Sequence, residues 1–467
     1  MKGPPVSEHS PIRVHWFRRD LRLTDNPALS TGSTRCLPLY ILDPAELSRM
    51  GGASKVWLYH SLTALNQSLN GALHIALGTP NEVFTQLSLD HQIAQVTWTR
   101  RYDPDGIALD QPIMEMLKDK GVEVTSTNGS LLWEPWEVNK PDGAPYRVFT
   151  PFFKRGCLAA QPPRAPLPAP QLETVRLAGH TPDLAQHLLP DTPWDKDVVT
   201  GWTPGEAGAK TRLDAFIATN VANYKAARDI PSLSATSRLA PHLHFGEVSP
   251  NQIWHAIETL KTTVDTYHFK SELGWREFSY HLLYRHPDLA TENLNKKFDT
   301  FPWLNDETAL QRWQKGQTGI PIVDAGMREL WQTGYMHNRV RMIVASFLIK
   351  NLRIHWREGL AWFHDTLFDA DPANNAASWQ WVAGSGADAA PYFRIFNPVT
   401  QAQKFDPDAI YIKQYVPELA DLTAKHAHAP WLAPDAVKAT IAGSYPAPLV
   451  DLKESRQAAL DAFKALP

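Results

Sequence analysis

The sequence has few cysteines, little net charge and no long apolar run, and each of these absences excludes a class of protein. Cys36 and Cys157 are its two cysteines, and they stand too far apart for a CxxC motif, so a disulfide framework and a cysteine-based zinc site are excluded. The formal net charge of -3 excludes a uniformly basic nucleic-acid coat, although a local group of arginines can still bind phosphates. The amino-terminal segment has no apolar signal core and no stretch long enough for a membrane span, which predicts a cytoplasmic protein without membrane contact.

Two nucleotide-binding signatures are also missing. No GxGxxG follows the first predicted strand and no GxxxxGK[ST] occurs anywhere, so neither the dinucleotide fingerprint nor the P-loop is available. The sequence is instead rich in aromatic and turn-forming residues, with 17 Trp and 38 Pro. A nucleotide cofactor would therefore need a different kind of phosphate site.

Short apolar segments alternate with helical patterns in the first part of the chain. The segments that predict buried strands are RVHWFRRDLRL, CLPLYILD, ALHIALG, AQVTWT and VEVTST. This alternation predicts a doubly wound, Rossmann-like parallel sheet up to about Gly129. Prolines crowd from Pro162 to about Pro204, which is typical of an extended connector, and the remainder follows a 3.6-residue period. We therefore predict an α/β domain over residues 1–130, a connector over 131–203 and an all-helical domain over 204–467.

The segment DADPANNAASWQWV combines polar residues and two tryptophans on one predicted helix. Asp371 followed by Pro372 predicts the start of that helix. One face then carries Asn375, Ser378, Trp379 and Val382, and another carries Asn374, Ala377 and Trp381. Core packing is the commoner role for a tryptophan, but the carboxylates and amides beside these two would need partners if buried. The two indoles point in nearly opposite directions, so we expect them to contact different neighbours.

Two further predicted helices offer polar faces that complement this one. In GYMHNRVRMIVASFLIK an apolar face packs into a core, and the opposite face presents Asn338, Arg341, Met342 and Ala345. A half-buried Arg341 should find a carboxylate, and Asp369 is the candidate for a bidentate pair. In FKSELGWREFSYHLL one face carries Glu272, Trp275, Arg276 and Ser279. A structural ion pair or a solvated face explains each helix alone, but three such faces in one helical domain predict a pocket.

These motifs, together with VHWFRRDLRLTDNPAL, TSRLAPHLHFGEVSP and WQWVAGSGADAAPYFRIFNP, closely resemble the photolyase/cryptochrome family, and within it the microbial cyclobutane pyrimidine dimer photolyases of class I/III type. The resemblance covers nearly the whole chain. It implies an FAD-dependent carbon–carbon lyase of DNA repair, in which light drives an electron from reduced FAD to a cyclobutane pyrimidine dimer. The alternatives are a cryptochrome-type blue-light photoreceptor and a flavin-free nucleic-acid-binding module. Asn375, the complete pocket and the lack of a long carboxyl-terminal tail favour repair.

The resemblance also assigns residues to the FAD site. The positions that match it are Tyr224, Thr236, Ser237, Arg238, Leu239, Ala240, Trp275, Arg276, Asn338, Arg341, Asp369, Asp371 and Asn375. Arg341 and Asp369 match the ion pair beside the isoalloxazine, and Asn375 matches the residue that faces flavin N5. Ala240 replaces a serine that is frequent there, which removes one hydroxyl contact.

The same resemblance implies roles in electron transfer and in lesion binding. Trp379, Trp356 and Trp303 match an electron-transfer chain from flavin to surface, and Glu272 and Asn338 match hydrogen-bonding partners of the pyrimidine edges. The DNA- and lesion-binding positions are Arg228, Glu272, Trp275, Arg339, Met342, Trp381, Arg394 and Lys404. The implied partner is UV-damaged DNA, single- or double-stranded, bound by a monomer without a metal. An antenna chromophore is also expected, with methenyltetrahydrofolate favoured over a deazaflavin.

Overall fold

The structure is a computed structural model that describes residues 11–177, 181–389 and 394–466. Its described strands all lie in the first part of the chain: β1 Ile12–Phe17, β2 Arg35–Leu42, β3 His74–Leu77, β4 Ile93–Thr99, β5 Glu123–Thr127 and β6 Glu173–Thr174. They pair in parallel in the order β3-β2-β1-β4-β5, and β6 joins the beginning of β2. The predicted doubly wound parallel sheet is therefore confirmed, with its order reversing on either side of β1.

The first strand is shorter than the sequence pattern predicts. β1 ends at Phe17, whereas RVHWFRRDLRL extends the pattern to Leu23. The reason is Asp20, which is fully buried and accepts hydrogen bonds from the Arg18 backbone N–H at 2.8 Å and the Thr99 hydroxyl at 2.7 Å. The Arg18 amide is thereby taken out of the strand ladder, and the chain leaves the sheet.

Helices make up most of the remaining described structure. Those of the first half are α1 Pro44–Arg49, α2 Gly52–Ser68, α3 Pro80–Asp90, α4 Pro104–Asp119, α5 Phe149–Pro151, α6 Leu184–Leu188, α7 Asp195–Val198, α8 Glu206–Thr219, α9 Tyr224–Ala227 and α10 Ala240–His244. Those of the second half are α11 Pro250–Glu258, α12 Val264–Arg285, α13 Glu307–Gln314, α14 Pro321–Thr333, α15 Asn338–Ser346, α16 Trp356–Thr366, α17 Pro372–Ala383, α18 Pro398–Phe405, α19 Ile410–Tyr415, α20 Ala424–His428, α21 Asp435–Ile441 and α22 Leu452–Lys464.

Shorter turns of other helix types complete the secondary structure. Segments of 3-10 helix are Cys157–Ala159, Val221–Asn223, Lys296–Thr300, Pro417–Leu419 and Pro430–Leu432, and π-helical segments are Phe152–Gly156 and Phe347–Asn351. After β6, the described residues contain helices and no strand, which agrees with the predicted all-helical region. None of the described helices has the length and apolar character that a bilayer crossing requires.

The proline-rich segment is only partly the extended connector that the sequence predicts. It has no regular structure from Gln161 to Leu172, but it then adds β6 to the sheet and forms α6 and α7 before Pro204. Strand β6 pairs Cys36 with Thr174, so the connector is attached to the sheet edge. Its two residues are too short to give a sequence signal of their own.

Two apolar cores cover the faces of the sheet. On one face Trp16, Phe84 and Trp98 pack together within the α/β region. On the other face the Trp57 ring of α2 lies 5.3 Å from that of Trp202, within a cluster that includes residues of the helical region. This second core packs α2 against the helical region.

Candidate functional site

A cavity of about 700 Å³ lies among the helices of the second half of the chain. Helices α12, α15 and α17 supply most of its lining, as the three polar helix faces predict, and residues around α9 and α10 complete it. The volume lies within the range typical of cofactor sites. The site is therefore a preformed space with walls from several separate parts of the sequence.

Most residues that the sequence assigns to a site line this cavity. They are Tyr224, Arg228, Ser237, Leu239, Ala240, Glu272, Trp275, Arg276, Asn338, Arg339, Arg341, Met342, Asp369, Asp371, Asn375, Trp379 and Trp381. The predicted residues that do not line it are Thr236, Arg238, Trp303, Trp356, Arg394 and Lys404. Thr236 lies 3.3 Å from the Tyr335 hydroxyl, and the Arg238 guanidinium lies over the rings of Trp202 and Tyr335 at 4.2 and 4.8 Å.

Arg341 and Asp369 form the bidentate pair that the sequence predicts. The two guanidinium nitrogens of Arg341 donate to the two carboxylate oxygens of Asp369 at 3.0 and 2.9 Å, and its Nε donates to the Met336 carbonyl at 2.7 Å. Burial alone would lower the pKa of Arg341, but the Asp369 charge and hydrogen bonds raise it above its ordinary value. Arg341 therefore keeps its positive charge in the cavity wall.

Asp371 caps helix α17 and is held by several donors. Its carboxylate accepts from the Asn374 backbone N–H at 2.8 Å, from the Asn374 amide at 2.9 Å and from the Tyr280 hydroxyl. Burial would raise the pKa of Asp371, but the neighbouring His244 imidazole, the positive charge of Arg276 and the Tyr280 hydrogen bond outweigh it and hold that pKa well below its usual range. Asp371 is therefore a buried negative charge in the cavity wall.

His244 is a cavity residue that the sequence analysis did not select. Its Nδ1 lies 4.0 Å from the Asp371 carboxylate and has no hydrogen-bond partner in the described part of the chain. Burial lowers the pKa of His244, so the imidazole is neutral near pH 7. Its presence in the motif HLHFGE was a signal, because a buried imidazole between apolar residues needs a partner.

Asn375 and Trp379 occupy neighbouring turns of α17 but have different surroundings. The Asn375 amide donates to the Leu360 carbonyl of α16 at 3.2 Å. The Trp379 ring is buried at 5.0 Å from the Phe363 ring and 6.4 Å from the Trp313 ring. Trp381 is half-buried and lines the same cavity as Trp379, although the two indoles were expected to contact different neighbours.

A succession of aromatic rings continues outward from α16. Trp356 is fully buried, and its Nε1 donates to the Asn293 side chain at 2.9 Å. The His355 ring lies 5.5 Å from the Trp356 ring and 4.8 Å from the half-buried Trp303 ring. Burial lowers the pKa of His355 to about 4, so this ring is neutral near pH 7. The sequence predicted the tryptophans but not the histidine between them.

Aromatic side chains also support the other end of the cavity. The Trp275 ring stacks on the Phe149 ring with centroids 3.7 Å apart and planes 11° apart. The Phe149 backbone N–H donates to Asp388 at 3.1 Å, which fixes this segment of the connector. One face of the Trp275 indole is therefore covered by the connector, and the sequence pattern gave no indication of this long-range contact.

Ion pairs link four partly exposed residues of the cavity lining. The Arg228 guanidinium is hydrogen-bonded to Glu272, and Arg339 donates to Asp229 at 2.7 Å. Lys404 and Arg394 lie outside this group and are exposed, with the Lys404 Nζ 4.9 Å from the Phe405 ring. Asp229 was missed in the sequence, although it directly follows Arg228. No group of three His, Cys, Asp or Glu side chains in the described ranges has an arrangement that could hold a metal ion.

Known proteins resemble the chain over its whole length. Residues 13–171 match the family model for DNA photolyase, and residues 269–465 match that for the FAD binding domain of DNA photolyase. A deoxyribodipyrimidine photo-lyase of Agrobacterium fabrum is 47% identical over 98% of this chain and 98% of its own. The crystal structure of a bacterial class III photolyase from Agrobacterium tumefaciens is 46% identical, with a TM-score of 0.93 over 99% of both chains. Cryptochrome-1 of Arabidopsis thaliana is 33% identical over 95% of this chain and 69% of its own.

Proposed function

This chain belongs to the DNA photolyase family, and we propose that it is a deoxyribodipyrimidine photo-lyase, which uses light to split cyclobutane pyrimidine dimers in DNA. One observation carries this proposal: a single cavity is lined both by the residues that resemble an FAD site and by those that resemble a lesion site. Arg341 and Asp371 belong to the first set, and Glu272 and Trp381 belong to the second. A flavin and an inserted lesion would therefore share one enclosed space.

The residues around the cavity fit FAD. Arg341, Asp371 and His244 provide donors and acceptors for a heterocycle, and the unpartnered His244 Nδ1 would gain a hydrogen bond that its burial otherwise denies it. The Ser237 hydroxyl and nearby backbone N–H groups would hold phosphates without a glycine-rich loop. Bound and reduced, FAD supplies the light-excited electron that opens the cyclobutane ring and accepts it again after cleavage.

The charged residues of the wall set the electrostatics of this space. Arg341 and Asp369 compensate each other, whereas Asp371 keeps its negative charge because its pKa lies below the usual range. Asn375 adds a neutral amide, fixed by its hydrogen bond to Leu360. We propose that Asn375 contacts the flavin ring. Because its amide is neutral, it would not repel the negative charge that the ring gains on reduction.

The aromatic and polar residues at the other end would bind the lesion. Photolyases are among the enzymes that extrude their target bases from the helix. Trp275 and Trp381 present flat apolar walls for the extruded pyrimidines, and Glu272, Asn338 and Met342 offer contacts to their edges. The phosphates flanking the lesion would bind Arg228, Arg339, Arg394 and Lys404. These residues orient the dimer and hold it away from water, and no proton transfer by them is required.

The tryptophans would return the oxidised cofactor to its active form. We propose that Trp379, Trp356 and Trp303 relay electrons from the surface to the cavity, because Trp379 lines it and Trp303 is half-buried near the surface. The His355 ring contacts both the Trp356 and Trp303 rings, so electrons would cross a series of short steps between these two tryptophans. Its neutral state is important, because a positive charge there would disfavour an oxidised tryptophan beside it.

Light-dependent repair tests the proposed function. Purified, fully reduced protein is incubated with single- and double-stranded oligonucleotides that carry one cyclobutane thymine dimer, under blue light and in the dark, and restored thymines are counted. We expect repair only in the light. A protein that binds FAD and photoreduces it but repairs no dimer would contradict the proposal and favour the cryptochrome-type photoreceptor.

We also propose an antenna chromophore and a monomeric state. Methenyltetrahydrofolate is the favoured antenna and a deazaflavin is the alternative, since both occur in the family that the chain belongs to. Extraction of the purified protein followed by mass spectrometry distinguishes them. Release of FAD alone would contradict the antenna proposal, and a dimer mass in light scattering would contradict the monomer.

A further inference from the structure

Four charged, partly exposed side chains of the cavity lining form one series of ion pairs. Glu272 of α12 is paired with Arg228, whose Nε lies 3.9 Å from Asp229. Arg339 of α15 donates to the other oxygen of Asp229 at 2.7 Å. We call this series Glu272–Arg228–Asp229–Arg339 the mouth chain. It holds two positive and two negative charges, so it is neutral as a whole.

The two arginines of the mouth chain are more covered than the two carboxylates. The side chains of Arg228 and Arg339 are 12% and 18% exposed, against 32% and 31% for Glu272 and Asp229. The Arg228 guanidinium lies 5.2 Å from the Tyr224 ring, and that of Arg339 lies 4.3 Å from the Phe405 ring. Both head groups are thus held in place and already have anionic partners. A DNA phosphate that binds the same guanidinium N–H groups must replace a carboxylate.

We propose that Glu272 and Asp229 bind Arg228 and Arg339 in the free protein, and that DNA phosphates replace these two carboxylates in the complex. When a phosphate replaces Glu272 on Arg228, Glu272 becomes free to bind an inserted lesion, so phosphate binding is coupled to lesion insertion. This inference rests on the proposed function. It adds a role for Asp229, a residue to which the resemblance gives none. It also gives Glu272 a second role as the anion that withholds Arg228 from undamaged DNA.

The coupling follows from what each ligand can offer. Undamaged DNA offers Arg228 a phosphate but leaves Glu272 without a donor in a partly buried position, which carries a desolvation cost. An inserted pyrimidine dimer offers ring N–H donors to Glu272 and a phosphate to Arg228, so both members of the pair are satisfied at once. Asp229 competes for Arg339 in both cases, so it weakens all DNA binding equally.

The salt dependence of wild-type binding gives the first test. Binding of the FAD-loaded protein is measured in the dark by fluorescence anisotropy, with a single-stranded oligonucleotide that carries one thymine dimer and with its undamaged twin. Each phosphate contact to a single strand contributes about 0.7 to the slope of log affinity against log salt. We expect the slope for the damaged strand to be steeper by about 0.7, because only that strand recruits Arg228. Equal slopes with tighter binding of the damaged strand would overturn the inference.

Two near-isosteric substitutions give the second test, because they remove the same charge but should act differently. Glu272→Gln releases Arg228, so undamaged DNA should bind about fivefold more tightly at 0.1 M salt, the factor that one added contact of slope 0.7 gives. The damaged strand should bind less tightly, because Glu272 is lost as its base partner. Asp229→Asn should strengthen the binding of both strands by about the same fivefold factor and leave their ratio unchanged.

Asp435→Asn is the matched control, since Asp435 is exposed and lies outside the cavity lining, and it should change neither slope nor affinity. Flavin content and circular dichroism confirm folding, and if a variant does not fold, the wild-type slopes still decide the question. Glu272→Gln without a gain for undamaged DNA would overturn the coupling, and Asp229→Asn without a gain for either strand would overturn the role of Asp229. Wild-type protein that fails to prefer the damaged strand would instead contradict the proposed function.

Discussion

Gly359 of α16 and Trp379 of α17 are in such close contact that a Cβ atom on Gly359 would lie 2.1 Å from the indole ring. Gly359 is one helical turn beyond Trp356, so this contact brings α17 against the helix that carries the next tryptophan of the proposed relay. The absence of a side chain at position 359 is therefore a condition for the position of Trp379.

Gly359→Ala should displace Trp379 and destabilise the protein. The indole is buried against the Phe363 ring and a Cβ atom would overlap it, so we expect a loss of about 1–3 kcal/mol from overpacking, beyond the gain in helix propensity. Thermal unfolding measures the loss, and the rate of FAD photoreduction reports the displacement. Glu358→Ala on the exposed side of the same helix is the control. An unchanged melting temperature together with unchanged photoreduction would show that the ring moves aside freely.

Trp356→Phe should block photoreduction of oxidised FAD while repair by chemically reduced enzyme continues. Phenylalanine fills most of the space but is much harder to oxidise than tryptophan, so the relay is interrupted. Transient absorption and a repair assay after chemical reduction separate the two effects. Trp313→Phe is the matched control, because Trp313 is also fully buried and lies outside the proposed relay. Equal loss of both activities would assign Trp356 a packing role only.

Asn375→Asp should lower the amount of fully reduced flavin that accumulates under light with a thiol reductant. The substitution adds a negative charge at a half-buried cavity position, and that charge disfavours further negative charge on a bound flavin. The end states are compared by absorption spectroscopy. Asn305→Asp, at an exposed position outside the cavity lining, adds the same charge and should have no effect. Identical end states in all proteins would refute the proposed contact of Asn375 with the flavin.

Asn338 should contribute to binding of the cyclobutane dimer and should not support repair of a (6-4) photoproduct. Relatives that repair the latter are expected to use a histidine as proton donor at this position, and an amide cannot act as a general acid. Asn338→Ala should cost about 1–3 kcal/mol in dimer binding if its partner is left without a hydrogen bond. Titration with damaged oligonucleotides measures this, with Gln332→Ala, an exposed position of α14, as control. Efficient repair of a (6-4) lesion would contradict the substrate assignment.

Glu277 should make folding stability depend on pH. Burial raises the pKa of Glu277 to about 7 from an ordinary 4.5, against the weaker opposing effects of Arg276 and the backbone donors Trp133 and Leu132. The folded protein then binds this proton more tightly than the unfolded chain. The contribution to stability is therefore complete below pH 4.5 and is lost as the pH rises through 7.

Urea unfolding of wild type and Glu277→Gln between pH 5 and 8 checks this. The wild type should lose up to about 3 kcal/mol relative to the variant as the pH rises, because the pKa of Glu277 differs by about 2.5 between the folded and unfolded states. Glu115→Gln, an exposed substitution with the same charge change, should run parallel to wild type. Parallel curves for Glu277→Gln as well would mean that its carboxylate is ionised throughout.

The sequence predicted those parts of the fold and site that local patterns encode. The buried strands, the start of α17 at Asp371 and the polar faces of α12 and α15 all follow from residue spacing within one segment. The Arg341 and Asp369 pair could also be predicted, because a half-buried arginine needs a carboxylate. In contrast, the end of β1 depends on Asp20 and on Thr99 of β4, a strand that is adjacent in the sheet but distant in sequence, so no local pattern predicts this contact.

The missed features share this dependence on distant partners. The Phe149 ring of the connector stacks on the Trp275 ring, and the His355 ring contacts the Trp303 ring. Both contacts join residues that are far apart in the sequence. Glycine has a low helix propensity, so the sequence alone does not explain Gly359 within α16. The close contact with Trp379 explains it. Asp229 gains its importance from Arg339, which lies far along the chain. These relationships are properties of tertiary packing, and the resemblance to a family supplied residue roles without them.

The buried guanidinium of Arg22 has a consequence for how the proposed domains can be recombined. Arg22 is fully buried and donates to the carbonyls of Asp25 at 2.7 Å, Gly129 at 2.6 Å and Gly246 at 2.8 Å. Its acceptors thus come from the α/β region and from the helical region together. A chimera that takes one region from a relative must reproduce all three carbonyl positions, or it buries a cation with an unfilled donor. The two regions are therefore separate in sequence but joined in structure by Arg22. We do not expect either region to be exchangeable for that of a relative on its own.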